Sequence, residues 1–200
     1  MLYIKHRQNS LSDLSLLPTC YGAEIDIRSH GEKLILQHDP YIIDTQCFDT
    51  WISEYRQDTL ILNVKEEGLE ERLINEMISR NITNYFFLDQ SIPFLIKWAS
   101  VCNKCCAARV SEYESIQTVI NLANKISWVW IDCFNHFPID RNDSIKLKNL
   151  GLKICLVSPE LHGKDAHTEI PTLAHHIQSQ KIEADAVCTK RPDIWESIIK

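Results

Sequence analysis

The strongest constraint on this chain is a rhythm that runs from one end of it to the other. Eight short apolar runs, at residues 2–7, 22–28, 60–65, 84–89, 107–110, 128–132, 153–157 and 184–189, each end in polar or charged residues or run directly into them. Stretches with helical spacing follow them, at 11–17, 49–55, 68–80, 93–101, 114–125, 144–150, 172–180 and 192–200. A strand that repeatedly gives way to a helix predicts parallel strands joined by crossovers, and eight such units predict an α/β chain folded as a compact (β/α)8 TIM barrel. It would be a small one, since about 250 residues is typical. The runner-up is an open doubly wound sheet, but neither a Gly-x-Gly-x-x-Gly turn nor a Walker-type loop occurs to support nucleotide binding there. With 200 residues the chain is long enough to bury about 70% of its unfolded surface around one core, so a single domain over 1–200 without a sizeable insertion is expected.

Charge narrows the function classes. The formal net charge is -6, without the basic stripe that nucleic-acid binding needs, so any phosphate site must be local. The opening Met1-Leu-Tyr-Ile-Lys-His has no basic segment followed by a long apolar stretch, and no apolar run is long enough to span a bilayer. A soluble cytoplasmic protein without stable membrane insertion is therefore expected, with its 8 cysteines as reduced thiols. Cys102-Asn-Lys-Cys105-Cys106 contains a CxxC, but no second CxxC or histidine pair stands at zinc-site spacing.

A barrel places its chemistry at the carboxyl ends of the strands, and the polar residues collect there. The richest stretch is 22–40. Glu24, Asp26 and Arg28 alternate with Ala23, Ile25 and Ile27, which puts the three charges on one face of a strand and the apolar side chains on the other. Ser29-His30-Gly31-Glu32 reads as a tight turn, and Leu34-Ile35-Leu36 as a short return strand leading to His38-Asp39-Pro40. An imidazole is thereby expected near two carboxylates. Smaller polar groups end the other strands: Asn63 and Lys65, Asp89, Arg109 with Glu112, Asp132, Ser158 with Glu160, and Thr189 with Lys190. His136 and His162 fall in loops on the same side. His175-His176 are adjacent on a helix, point about 100° apart and so do not converge on one ion.

Three short motifs in order, His6-Arg7, Glu24-Ile-Asp26 and His38-Asp39-Pro40, resemble the signature of the glycerophosphodiester phosphodiesterase and phosphatidylinositol-phospholipase-C-like superfamily. The resemblance implies a barrel that cleaves phosphodiesters. His6 and His38 would be the general acid and base, either role suiting an imidazole that titrates near neutrality. Glu24, Asp26 and Asn63 would be hard oxygen ligands for Mg²⁺ or Ca²⁺, and Arg7, Arg28 and Lys65 would hold the phosphate oxygens. A neighbouring substrate hydroxyl could close a cyclic phosphate.

Three departures accompany the resemblance. An acidic residue usual two before the strand-three lysine is Asn63 here, which removes one negative charge from the ligand set. The glycine usual after His-Arg is Gln8. Only residues 40–59 lie where related enzymes insert a subdomain, so the pocket is expected to be open and to suit a small or a glycan-linked phosphodiester. The alternative function is a catalytically inactive barrel that binds a phosphorylated ligand.

Overall fold

The computed structural model of the protein describes residues 1–41 and 45–199. Lys200, the last residue of the final expected helix, lies outside them, as do three residues of the 40–59 stretch. In chain order the elements are β1 (Leu2–Lys5), α1 (Leu11–Leu16), β2 (Gly22–His30), β3 (Lys33–Leu36), β4 (Gln46–Cys47), α2 (Phe48–Glu54), β5 (Leu60–Val64), α3 (Glu70–Ser79), β6 (Tyr85–Leu88) and α4 (Ile92–Ala99). Then follow β7 (Ala107–Val110), α5 (Ile116–Leu122), β8 (Trp128–Ile131), α6 (Arg141–Asn149), β9 (Lys153–Val157), α7 (Ala166–Ser179), β10 (Ala186–Thr189) and α8 (Pro192–Ile198). All eight expected strands and all eight expected helices are present among them. The α/β class and the alternation are as the sequence rhythm implied.

The chain divides into two compact units, His6–Cys106 and a second made of Met1–Lys5 with Ala107–Lys200. In the first, β2, β5 and β6 run parallel, with Asp26 opposite Asn63 and Leu62 opposite Phe87. β3 folds back antiparallel on β2 and β4 on β3. β2 extends further than expected, to His30, so the reversal narrows to Gly31-Glu32, where Gly31 takes φ 60, a left-handed value that glycine adopts without steric cost. Every residue of β5 is buried, as expected of a parallel strand covered on both faces. Phe48, Trp51, Leu73, Met77, Phe86 and Phe87 are fully buried in the same unit.

In the second unit β1, β10, β9, β8 and β7 are parallel neighbours in that order. Val129, Ile154, Leu156, Val187, Ala174 and Trp195 are completely inaccessible there. Two helices start earlier than their apolar spacing suggests, and caps explain both. Asp140 and Asp143 form a reciprocal capping box that starts α6 at Arg141 rather than at 144. Asp165 accepts from the Thr168 amide and starts α7 at Ala166 rather than at 172, and the helix takes Pro171 into its second turn at the loss of one backbone hydrogen bond.

One expectation is corrected. The cysteines are not all thiols: Cys102 and Cys105 are disulfide-bonded, and the other six are free. Their juxtaposition comes from a turn after α4 that no strand or helix period marks in the sequence.

The loop after β8 is locked by one carboxylate. Glu112 accepts hydrogen bonds from the amides of Phe134, Asn135 and His136. Burial alone would raise its pKa, but those amides outweigh burial and hold it down at about 2, against an ordinary 4.5. A depressed carboxylate contributes stability that is present above its unfolded pKa and lost as pH falls through its folded one. Glu112→Gln is therefore expected to be less stable than the wild type at neutral pH, with the deficit shrinking as pH drops from 4.5 towards 2 in denaturant titrations. A deficit constant with pH would mean that the loop needs the shape of the side chain and not its charge.

Candidate active site

The carboxyl half of β2 carries the centre of the site. Glu24 and Asp26 are 1% and 0% exposed, which is costly for carboxylates unless they are paired. Each is held by several groups. Glu24 Oε2 accepts from the Arg7 amide at 2.7 Å and lies 3.9 Å from His6 Nε2, and its Oε1 accepts from Asn63 Nδ2 at 2.8 Å. Asp26 faces Lys65 Nζ at 3.2 Å and Arg7 Nε at 3.8 Å, and its Oδ2 accepts from Asn9 Nδ2 at 2.8 Å. Asn9 also accepts from the Asp26 amide at 2.9 Å.

Local structure explains how His6, Arg7 and Asn9 arrive there. Arg7 has φ 52, a left-handed conformation that an L residue other than glycine adopts at a cost of roughly 1–2 kcal/mol. That turn aims its amide at the Glu24 carboxylate, and the next amide, of Gln8, donates to the Glu24 carbonyl at 2.8 Å. Just after β6 the same conformation recurs at Asp89, φ 63, whose carboxylate lies 3.3 Å from Lys65 Nζ. Lys65 thus bridges two aspartates.

The proton affinity of Glu24 follows from this crowding. Burial is the largest influence and the charge of Asp26 the next; together they push its pKa up to about 7 against the opposing hydrogen bonds from Asn63 and Arg7 and the charge of Lys65.

His38 and Arg28 sit differently from the rest. The His38 ring is bonded through Nδ1 to Asp39 at 2.9 Å, and that hydrogen bond holds the Asp39 carboxyl below its usual range. Arg28 donates from Nε and Nη2 to the His38 carbonyl and from Nη1 to the Lys65 carbonyl. Its guanidinium ties the two loops that carry His38 and Lys65.

One atom bears on whether this donor set fits a divalent cation. Asn63 Oδ1 is buried and has no hydrogen-bond partner among the described residues, while its Nδ2 is spent on Glu24. An orphaned carbonyl oxygen beside two buried carboxylates is what a hard-cation site requires, so Glu24, Asp26 and Asn63 fit such an ion. Beside them, Lys65, Glu70 and Asp89 help line a cavity of about 280 Å³.

Asn9 was not singled out by sequence reasoning. The only available signal was two consecutive amides, Gln8-Asn9, where the chain leaves its first strand. In the second unit the polar strand ends satisfy one another: Arg109 pairs with Asp132 at 3.3 Å, Asp132 with His162, and Glu160 accepts from Thr189 Oγ1 and the Lys190 amide. His175 and His176 are exposed on α7.

No family model matches the chain, and no curated protein matches it. Solved structures do. A glycerophosphodiester phosphodiesterase from Agrobacterium tumefaciens superposes with a TM-score of 0.71 at 12% identity, over 98% of this chain and 99% of that one. A glycerophosphoryl diester phosphodiesterase from Parabacteroides distasonis does so with a TM-score of 0.65 at 14% identity, over 98% and 87% respectively. The chain has the fold of these proteins along nearly its whole length.

Asn9 is expected to matter for stability because it makes two hydrogen bonds to a buried residue. Asn9→Ala should cost about 1–3 kcal/mol in chemical denaturation, the range for leaving a buried acceptor unsatisfied. An unchanged midpoint would mean that Lys65 and Arg7 alone hold Asp26.

Proposed function

We propose that this chain is a metal-dependent phosphoric diester hydrolase of the glycerophosphodiester type, with residues 1–200 forming the (β/α)8 barrel that its rhythm implies. The observation that carries the reading is the pair of buried carboxylates on β2, Glu24 and Asp26, which share their pocket with the orphaned Asn63 Oδ1 and are flanked by His6, Arg7 and Lys65. The shared fold with known phosphodiesterases supports it.

A phosphodiester resists attack because its non-bridging oxygens carry negative charge and its leaving alkoxide needs a proton. Glu24, Asp26 and Asn63 would hold Mg²⁺ or Ca²⁺, which supplies Lewis-acid polarisation of a phosphoryl oxygen. Arg7, whose side chain is 43% exposed, and Lys65 would hold the remaining oxygens. His6 and His38 supply the acid and the base. For His38 the Asp39 contact fixes the ring: with Nδ1–H donated to that carboxylate, Nε2 is the nitrogen left to take or give a proton. Arg28, which donates to the carbonyls of His38 and Lys65, would position the two loops that carry those residues.

A second reading, a barrel that only binds a phosphorylated ligand, is favoured by one contact: the amide of Asn63 occupies an oxygen of Glu24 where a third carboxylate would have repelled it.

One assay separates them. Product release is measured from glycerophosphodiesters, lysophospholipids and sugar phosphodiesters, with Mg²⁺, Ca²⁺ or chelator. Chelator is expected to abolish turnover, and His6→Ala and His38→Ala each to lower it by about 10²–10⁴-fold, the usual worth of a general acid or base. Turnover indifferent to both histidines and to metal would sink the mechanism. Intact ligand after long incubation, with binding retained, would select the second reading.

A further inference from the structure

The Cys102–Cys105 disulfide follows the C-terminal end of α4 and joins residues only 3 apart in sequence. The chain closes that small ring with a reverse turn in which Asn103 and Lys104 are both left-handed, at φ 51 and 68, while the Cys105 amide reaches back to the Cys102 carbonyl. Two consecutive left-handed residues, neither of them glycine, are an unfavourable backbone choice. A third sulfur, of the fully buried Cys106, lies within 4.8 Å of the other two.

As a staple the bond does little. The entropy that a crosslink removes from the unfolded chain grows with ring size, and this ring is near the smallest possible. The segment is already fastened by other means: the Phe87 amide donates to the Cys105 carbonyl at 2.7 Å, and Cys106 forms a bridge to Phe87. The strained turn is thus spent on bringing two sulfurs together at a place that needs no extra fastening.

We propose that Cys102 and Cys105 are a reversible redox couple that exchanges with low-molecular-weight thiols of the glutathione class, with Cys102 as the sulfur attacked. Of the three sulfurs only that of Cys102 belongs to a half-buried residue; Cys105 and Cys106 are buried. The incoming thiolate bonds to Cys102 Sγ, the disulfide breaks, and its electron pair leaves on Cys105 Sγ, which takes a proton. A second thiolate attacks the reductant's own sulfur in the mixed disulfide and releases Cys102 as a thiol. Two reductant thiols become one disulfide, and two electrons pass to the protein.

Cys106 stays out of the exchange in spite of its proximity. Burial, and the charge of Glu70 after it, push its thiol up to about 12, so it is protonated at neutral pH and a poor nucleophile. The couple is kept to two sulfurs.

The test uses the whole chain, equilibrated over a series of reduced-to-oxidised glutathione ratios, quenched in acid, denatured, alkylated and weighed intact. The count of free thiols is expected to step from six to eight in one transition. The step should vanish in Cys102→Ala and in Cys105→Ala and persist in Cys106→Ala. Wild-type digests give an answer that does not depend on how the variants fold, because trypsin cuts after Lys104 and leaves two peptides joined only by the Cys102–Cys105 bond. Eight thiols at every ratio, a step that survives Cys102→Ala, or reduced protein carrying one equivalent of zinc or copper on these sulfurs would overturn the proposal, the last in favour of a thiolate metal site.

Discussion

Two carboxylates on one strand face, both out of reach of water, set the terms for the first unit. Glu24 and Asp26 are buried as completely as Ile25 between them, and the desolvation of an isolated carboxylate is several kcal/mol even after relaxation. The surrounding sequence is intelligible as the answer to that cost. Lys65 comes from the end of β5, Asn63 from inside it, and His6, Arg7 and Asn9 from the turn that follows β1; each contributes a charge or a donor within 4 Å of one of the two acids. Remove the acids and the cations and amides lose their reason to converge. Remove the cations and the acids must protonate, a direction in which Glu24 has already moved.

The same constraint explains what could be read from the sequence. Strand positions were legible because parallel strands buried on both faces are continuous apolar runs, and Leu60-Ile-Leu or Trp128-Val-Trp-Ile have few other places to go. Helix starts were less legible. The spacing of apolar residues reports the face of a helix that is packed, whereas α6 and α7 begin with turns whose stability comes from Asp140 and Asp165 as caps and not from packing. A first turn that buries little carries no periodic signal.

The two buried acids were legible in the sequence, with Arg7, Asn63 and Lys65 among the groups that hold them, and Asn9 was not. Glu24 and Asp26 stand out because charge inside an apolar run is rare. Asn9 does not, because an asparagine after a strand is ordinary turn chemistry until the carboxylate that it serves is known to lie 2.8 Å away. The contacts of Arg28 were hidden for a related reason. Its strand position puts it on the face of Glu24 and Asp26, while its length takes the guanidinium to the carbonyls of His38 and Lys65. A long side chain acts at its tip, and the tip is invisible to a period-two argument.

Backbone conformation separates the site from ordinary structure by a different route. Six residues other than glycine have a left-handed φ among those described. Asn81 and Lys181 follow the last turns of α3 and α7, where such a residue closes the helix, and Asn103 and Lys104 make the turn between the paired cysteines. The two that remain, Arg7 and Asp89, belong to no helix end. Each follows a strand, and each conformation places a group on the carboxylate–lysine cluster: the Arg7 amide on Glu24, the Asp89 carboxylate on Lys65. A strained residue persists only where its surroundings over-determine it. Here the surroundings are the buried acids and the lysine between them, so the strain and the charge burial have one cause, and that cause is the geometry of a site and not the packing of a core.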